Sequence, residues 1–233
     1  MRGLAKQTKT QADFRDLFRA AAMSDATSTV LVIDDDPDLR ASVGRLLRSL
    51  GISVQLFASI PEFLKSDPPD GPTCLVLDIR MPGQSGLDLQ RELAAANREI
   101  PIIFVTGHGD IPMSVQAMKR GAIEFLTKPF RDQDLLDAIQ VGLSRDRARR
   151  ENDKDLATLR ERFGSLSPRE REIVIQVARG RLSKQIAHEI GIAEATVKVH
   201  RSRAMQKMQA GSLPELGRMA DKLKLVPGTP QRS

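Results

Sequence analysis

VLVIDD, residues 30–35, decides the fold. Four apolar residues, three of them β-branched, run straight into two aspartates. That is the pattern of a strand buried on both faces and closed by a turn. The pattern returns as CLVLD at 74–78, IIFVT at 102–106 and FLTKP at 125–129. Side chains at the carboxyl ends of neighbouring parallel strands meet in one crevice, where doubly wound sheets bind ligands. The runs therefore bring Asp34, Asp35, Asp78, Thr106 and Lys128 to a shared site. Three carboxylates, a hydroxyl and an ammonium make a divalent-metal and phosphoryl site.

Outward from these runs, strand and helix alternate five times between Thr29 and Leu143, with strands ending near Asp34, Phe57, Asp78, Thr106 and Thr127. Helical spacing appears between them, as in Leu39-Val43-Leu46-Leu47-Leu50 and Leu87-Leu89-Leu93. Five such units predict an α/β, doubly wound, five-stranded parallel sheet. Residues 144–162 are charged, without Gly or Pro, and read as a solvated helical linker or a flexible tether. Leu156, Leu159, Phe163 and Leu166 form a short a/d-like seam that favours pairing with a second copy. The stretch from 163 to 226 reads as a small all-α domain of four short helices. Ser167, Pro168 and Glu170 form a capping box for the first, and Ser183 is expected to cap the second, from Lys184 to Ile190. The third runs from about Glu194 to Met208 and the fourth from Pro214 to about Leu223, leaving 227–233 as a tail.

Composition narrows the function classes. No apolar stretch reaches the eighteen or so residues that cross a bilayer, and Met1–Ala22 carries too many charges for a signal peptide. The single cysteine, Cys74, excludes a disulfide framework or a zinc cluster. A cytoplasmic protein is expected. The net charge of +6 is uneven: residues 29–143 hold 11 Lys/Arg against 16 Asp/Glu, and residues 159–225 hold 14 against 7. An acidic half joined to a basic half suggests a metal or phosphate site coupled to a nucleic-acid binder.

An aspartate can accept phosphate covalently when a metal shields the incoming charge and a cation holds the product oxygens. Asp34, Asp35 and Asp78 demand a cation, and Mg²⁺ suits such oxygen ligands. Thr106 offers a hydroxyl to a phosphoryl oxygen and Lys128 a positive charge, with Pro129 a candidate cis residue behind it. The enzyme alternative is a haloacid-dehalogenase-type phosphatase with Asp34 as nucleophile and Asp36 as its partner. Asp38 stands where that family has Thr or Val, and Asp78 and the basic half would go unused. His108 near Thr106 suggests a triad with Asp78, but no nucleophile elbow accompanies it.

Taken together, VIDD (32–35), LVLDIRMPGQSGLDL (75–89) and VTGHGDIPMSVQAMKRGAIEFLTKPF (105–130) resemble the receiver domain of bacterial two-component response regulators, a flavodoxin-like fold. Separations of 43 residues from Asp35 to Asp78, then 28 and 50 from Asp78 to Thr106 and Lys128, match that family. LSPREREIVIQVARGRLSKQIAHEIGIAEATVKVHRSRAMQKM (166–208) resembles its LuxR/FixJ-type helix-turn-helix output domain. The resemblance covers about 195 residues of the 233. GHGDIPM and AIEFLTKPF are similar to regulators of aromatic-hydrocarbon breakdown such as the styrene-catabolism regulator, a pattern shared with nitrogen-fixation regulators. Residues 1–28 become an extension before the receiver, with Met23 as the start or 1–22 disordered.

The resemblance implies roles. Asp78 is the phospho-acceptor, and Asp35, Asp78 and the backbone carbonyl of Arg80 bind Mg²⁺, with Asp34 acting mainly through a water. Thr106 and Lys128 hold the phosphoryl group, and Thr106 and Phe125 form the switch pair. Lys198, Val199 and Ser202 face the DNA major groove, while Lys184, Thr196, Arg203 and Lys207 contact phosphates. Implied partners are a cognate sensor histidine kinase, double-stranded promoter DNA, a second copy of the chain on phosphorylation through Lys119 and Glu124, and RNA polymerase. The family is a transcription regulator rather than a turnover enzyme, although its receiver can lose phosphate by itself.

Overall fold

The computed structural model describes residues 28–107 and 111–225. Most of the expected extension, the tail and His108 lie outside them. The chain divides into two compact units, Met1–Arg150 and Glu151–Ser233.

In the first unit, β1 (Thr29–Ile33), β2 (Ser53–Phe57), β3 (Thr73–Asp78), β4 (Ile102–Thr106) and β5 (Glu124–Thr127) form one parallel sheet in the order β2-β1-β3-β4-β5. The registers Ile33↔Phe57, Ile33↔Leu77, Asp78↔Val105 and Thr106↔Thr127 align the carboxyl ends. The order reverses direction between β1 and β3, which opens the crevice beside their ends.

Strand alternation sends one set of side chains to each face. Val30, Val32, Cys74, Val76, Ile103 and Val105 pack with Val43 and Leu47 of α1 (Pro37–Ser49) and with Leu135, Ile139 and Leu143 of α5 (Asp132–Gly164). Leu31, Ile33, Leu75, Leu77, Ile102 and Phe104 pack against Ile60 and Phe63 of α2 (Ile60–Leu64), Leu89 and Leu93 of α3 (Gly86–Ala95), and Ala117 of α4 (Ile111–Lys119). Each fully buried aliphatic side chain contributes about 1.5–3 kcal/mol, and the three central strands β1, β3 and β4 are buried along their whole length.

The segment expected as a linker is helical and continuous with the receiver's last helix: α5 runs from Asp132 to Gly164 without a break. Its residue Asp146 belongs to the receiver, because its buried carboxylate accepts the Thr73 N–H at 2.9 Å and binds Arg149 and Arg150. The a/d-like seam is not left free for a partner. Leu159 and Leu166 are buried and Phe163 half-buried in the second unit's own core, with Val174, Met208 and Leu216.

The second unit contains α6 (Pro168–Ala178), α7 (Ser183–Ile190), α8 (Glu194–Met208) and α9 (Leu213–Lys222). The expected capping box is present at Ser167 and Glu170. The cap of α7 departs from expectation. Leu182 occupies the N-cap, its N–H taken by Gln185 Oε1 at 2.9 Å, and the Ser183 hydroxyl instead accepts from Arg201 at 2.7 Å. Gly191, at φ 68°, adopts the left-handed conformation that turns α7 into α8. Ile173, Ile186, Ala187 and Val197 form the small core behind that turn.

Candidate functional site

The receiver crevice forms where β1, β3, β4 and β5 end. Lys128, just past β5, reaches back so that its Nζ lies 2.7 Å from Asp34 Oδ2 and 2.6 Å from Asp78 Oδ2. The Lys128 N–H donates to Thr106 O at 2.8 Å, which ties the lysine's backbone to the end of β4. The Lys128–Pro129 peptide is cis. Asp34 Oδ1 accepts the Asp36 N–H at 2.9 Å, and Asp78 Oδ1 accepts the Arg80 N–H at 3.0 Å. Asp34, Asp78 and Thr106 are buried, whereas Asp35 is exposed at the mouth.

Electrostatics in the crevice are out of balance in a direction that matters. Burial, the largest influence, pushes the Asp34 carboxyl up, although its bond to Lys128 pulls it down. Burial alone would lower the Lys128 ammonium, but its bonds to Asp34 and Asp78 raise it above its ordinary value. One ammonium thus faces three carboxylates whose oxygens lie within 4.8 Å of one another. An oxygen-seeking divalent cation fits that donor set, and Mg²⁺ is such a cation.

Two contributors escaped the sequence reading. The Arg40 guanidinium donates to the Asp34 backbone oxygen at 2.5 Å, closing the crevice from α1. Gly86 sits against the end of β3, because a Cβ there would lie 2.4 Å from the Asp78 carbonyl oxygen. Its N–H donates to Ile79 O at 3.0 Å, and α3 can start this close to β3 only without a side chain.

The expected switch and interface residues lie on the β4–α4–β5 side. Phe125 is half-buried and packs against the cluster that holds Phe104 and Ala117. Lys119 and Glu124 are exposed, and Glu124 Oε1 accepts the Phe125 N–H at 3.0 Å.

The second candidate site is the exposed face of α7 and α8. Lys184, Thr196, Lys198, Val199, Ser202, Arg203 and Lys207 are all exposed. Their roles are less uniform than their exposure. Lys198 Nζ pairs with Glu194 Oε1 at 2.9 Å, and Lys207 Nζ with the buried Glu170 carboxylate at 2.7 Å. The hydrogen bond from Lys207, and then that from the Ser167 N–H, hold the Glu170 carboxyl below the usual range. Lys207 is thus committed to the capping box of α6 before any DNA arrives.

A sheet with this crevice and a helix-turn-helix in one chain define a two-component response regulator, and the chain belongs to that family. Residues 30–140 match the response regulator receiver domain and residues 164–220 match the luxR family of bacterial regulatory proteins. Nodulation protein W of Bradyrhizobium diazoefficiens is 54% identical over 194 residues, which is 83% of this chain and 86% of that one. TodT of Pseudomonas putida, a response regulator protein, is 46% identical over 202 residues, 87% and 89% of the two chains. The solved structure of the response regulator StyR superposes with a TM-score of 0.74 at 49% identity, covering 84% of this chain and all, 100%, of that one. The chain is a transcription regulator of the two-component type and not a turnover enzyme. Among the described residues no helix is long and apolar enough to cross a membrane.

Proposed function

We propose that phosphorylation of Asp78 by a cognate sensor histidine kinase switches this regulator, and that the phosphorylated form dimerises on promoter DNA. The observation that carries the reading is the Lys128 ammonium, held within 2.6 Å of Asp78 and 2.7 Å of Asp34 at the ends of three strands. Asp35, Asp78 and the Arg80 carbonyl, with Asp34 through a water, would hold Mg²⁺. When bound, it offsets the charge between the carboxylates and the incoming phosphoryl oxygens.

An Asp78 oxygen attacks phosphorus on the kinase phosphohistidine. The P–N bond breaks, its electron pair returns to the imidazole, and Asp78 becomes an acyl phosphate. Lys128 then exchanges part of its contact with Asp78 for a phosphoryl oxygen, and the Thr106 hydroxyl donates to another. Drawing Thr106 inward opens space that Phe125 fills by turning, which shifts a two-state equilibrium of the receiver. Slow self-dephosphorylation by water returns it.

The test is Asp78→Asn, whose amide cannot attack phosphorus. Incubated with acetyl phosphate and Mg²⁺, the wild-type chain gains the mass of one phosphate and the variant none. A gain in the variant removes Asp78 as acceptor, and trapped phosphate on Asp34 would favour the phosphatase chemistry.

Dimerisation is supported by the α4 surface, where Val115 and Met118 are 45% and 42% exposed beside Lys119. Lys119 and Glu124 would pair across a two-fold axis. Two tethered helix-turn-helix modules then gain effective concentration on a paired half-site operator, where RNA polymerase would be recruited. Sedimentation with beryllofluoride should show a dimer and without it a monomer. A monomer in both states with operator affinity still raised would instead leave release of the helix-turn-helix as the switch.

A further inference from the structure

One carboxylate lies among the basic side chains of the α7–α8 face. Glu194 is the first residue of α8, and its Oε1 holds Lys198 Nζ at 2.9 Å, one helical turn further on. Both side chains are open to solvent, Lys198 at 59% and Glu194 at 43%. Arg201, also on α8, is occupied elsewhere, by the Ser183 hydroxyl at 2.7 Å. The bond from Lys198, with lesser contributions from Lys184 and Arg201, holds the Glu194 carboxyl below its ordinary value.

A carboxylate on a surface meant for phosphates weakens binding to the backbone, so any part it takes in recognition comes from the bases. The first residues of a recognition helix are the ones that reach base edges. The pair offers an acceptor beside a cation, side by side on one helix face. In the major groove a C·G pair offers the complement: the cytosine N4 amine donates, and next to it guanine O6 and N7 both accept. An A·T pair also sets a donor beside an acceptor, but beyond the thymine O4 it places a methyl group against the ammonium.

We propose that Glu194 and Lys198 read one C·G base pair as a unit, the carboxylate taking the cytosine amine and the ammonium the guanine O6 and N7. This rests on the DNA-binding reading above and adds the base pair and the residue that selects it. Lys198 held by Glu194 is also withheld from phosphates, so the pair suppresses binding to unrelated sequence.

An ordinary first-turn glutamate would only favour the helix dipole, and its loss would then change stability without changing base preference. The full chain, activated with beryllofluoride, is therefore used to select duplexes from a random library as wild type, Glu194→Gln and Lys198→Ala. The wild-type motif should contain one fixed C·G position. Both variants should relax that same position, each losing about tenfold of its discrimination, and the double variant should lose little more than either alone. On a random duplex Glu194→Gln should bind more tightly than wild type, its log K against log salt slope steeper by about one unit as Lys198 becomes free for a phosphate. Relaxation at two different positions, or a Glu194→Gln motif identical to wild type, overturns the proposal while leaving DNA binding intact. A wild-type chain that enriches no motif overturns both. Thermal melts of the variants separate a helix that no longer forms from one that no longer reads.

Discussion

The two halves of the molecule use charge in opposite ways. In the receiver, Asp34, Asp78 and Lys128 come from the ends of three strands and meet in a buried crevice. In the second unit, Lys198 and Lys207 stand on an exposed helix face and are met by Glu194, one turn away on the same helix, and by Glu170 of α6. Convergence in a largely buried site makes each charge strongly felt by the others, and a role follows almost directly from position. On a wet face a cation has several available partners, and screening keeps each bond weak. Position then says only that the residue is reachable.

The largest effect that would sharpen this contrast is metal binding. With a hundredfold excess of Mg²⁺ over its Kd, the chain should gain about 2.7 kcal/mol of unfolding free energy if the unfolded chain does not bind it. The Asp35→Ala variant should gain far less, although Asp35 is the exposed member of the three. Equal stabilisation of both, measured by urea unfolding with and without Mg²⁺, would remove Asp35 from the ligand set.

A smaller effect separates two lysines to which the resemblance gives different roles, Lys198 in the groove and Lys207 on the phosphates. Lys198→Ala should leave stability nearly unchanged and reduce discrimination between selected and random duplexes. Lys207→Ala should weaken both duplexes together and also destabilise the second unit by about 1–2 kcal/mol, because a hydrogen-bonded carboxylate loses its partner. Glu170→Gln should release Lys207 and tighten binding to random duplex. Equal loss of discrimination from Lys198→Ala and Lys207→Ala would erase the distinction between base reader and phosphate contact. Titrations of both duplexes and urea unfolding supply the two readouts.

Legibility followed the same divide. Parallel strands must be apolar on both faces, so VLVIDD, CLVLD, IIFVT and FLTKP announced themselves and carried their terminal polar residues to one place. Arg40 and Gly86 were hidden because each acts on a backbone oxygen, which leaves no trace in side-chain pattern. The seam of Leu159, Phe163 and Leu166 misled for another reason. A heptad spacing reports that one helix face is covered, and here the cover is the chain's own α6, α8 and α9. Ser183 misled as a cap because Arg201, eighteen residues away, was already available to its hydroxyl.

The smallest effect concerns acid. Glu170 closes the capping box by accepting the Ser167 N–H at 2.8 Å while holding Lys207 at 2.7 Å. Both bonds favour the ionised form, so the folded-state carboxyl lies below its ordinary value of 4.5. As pH falls, the unfolded chain takes up this proton before the folded one does. The group's contribution is therefore complete above that ordinary value and is lost as pH falls from there through the lower folded value. Glu170→Gln has no such proton to bind. Hydrogen exchange of the amides of α6 and α8 in the full chain, followed from about pH 6 to about pH 3, gives the stability of this unit in each protein. Wild type should start more stable than the variant and lose its advantage on the way down. A difference that stays constant with pH would mean that Glu170 acts by packing alone, and that the Lys207 bond is no tighter than the exposed pair at Lys198.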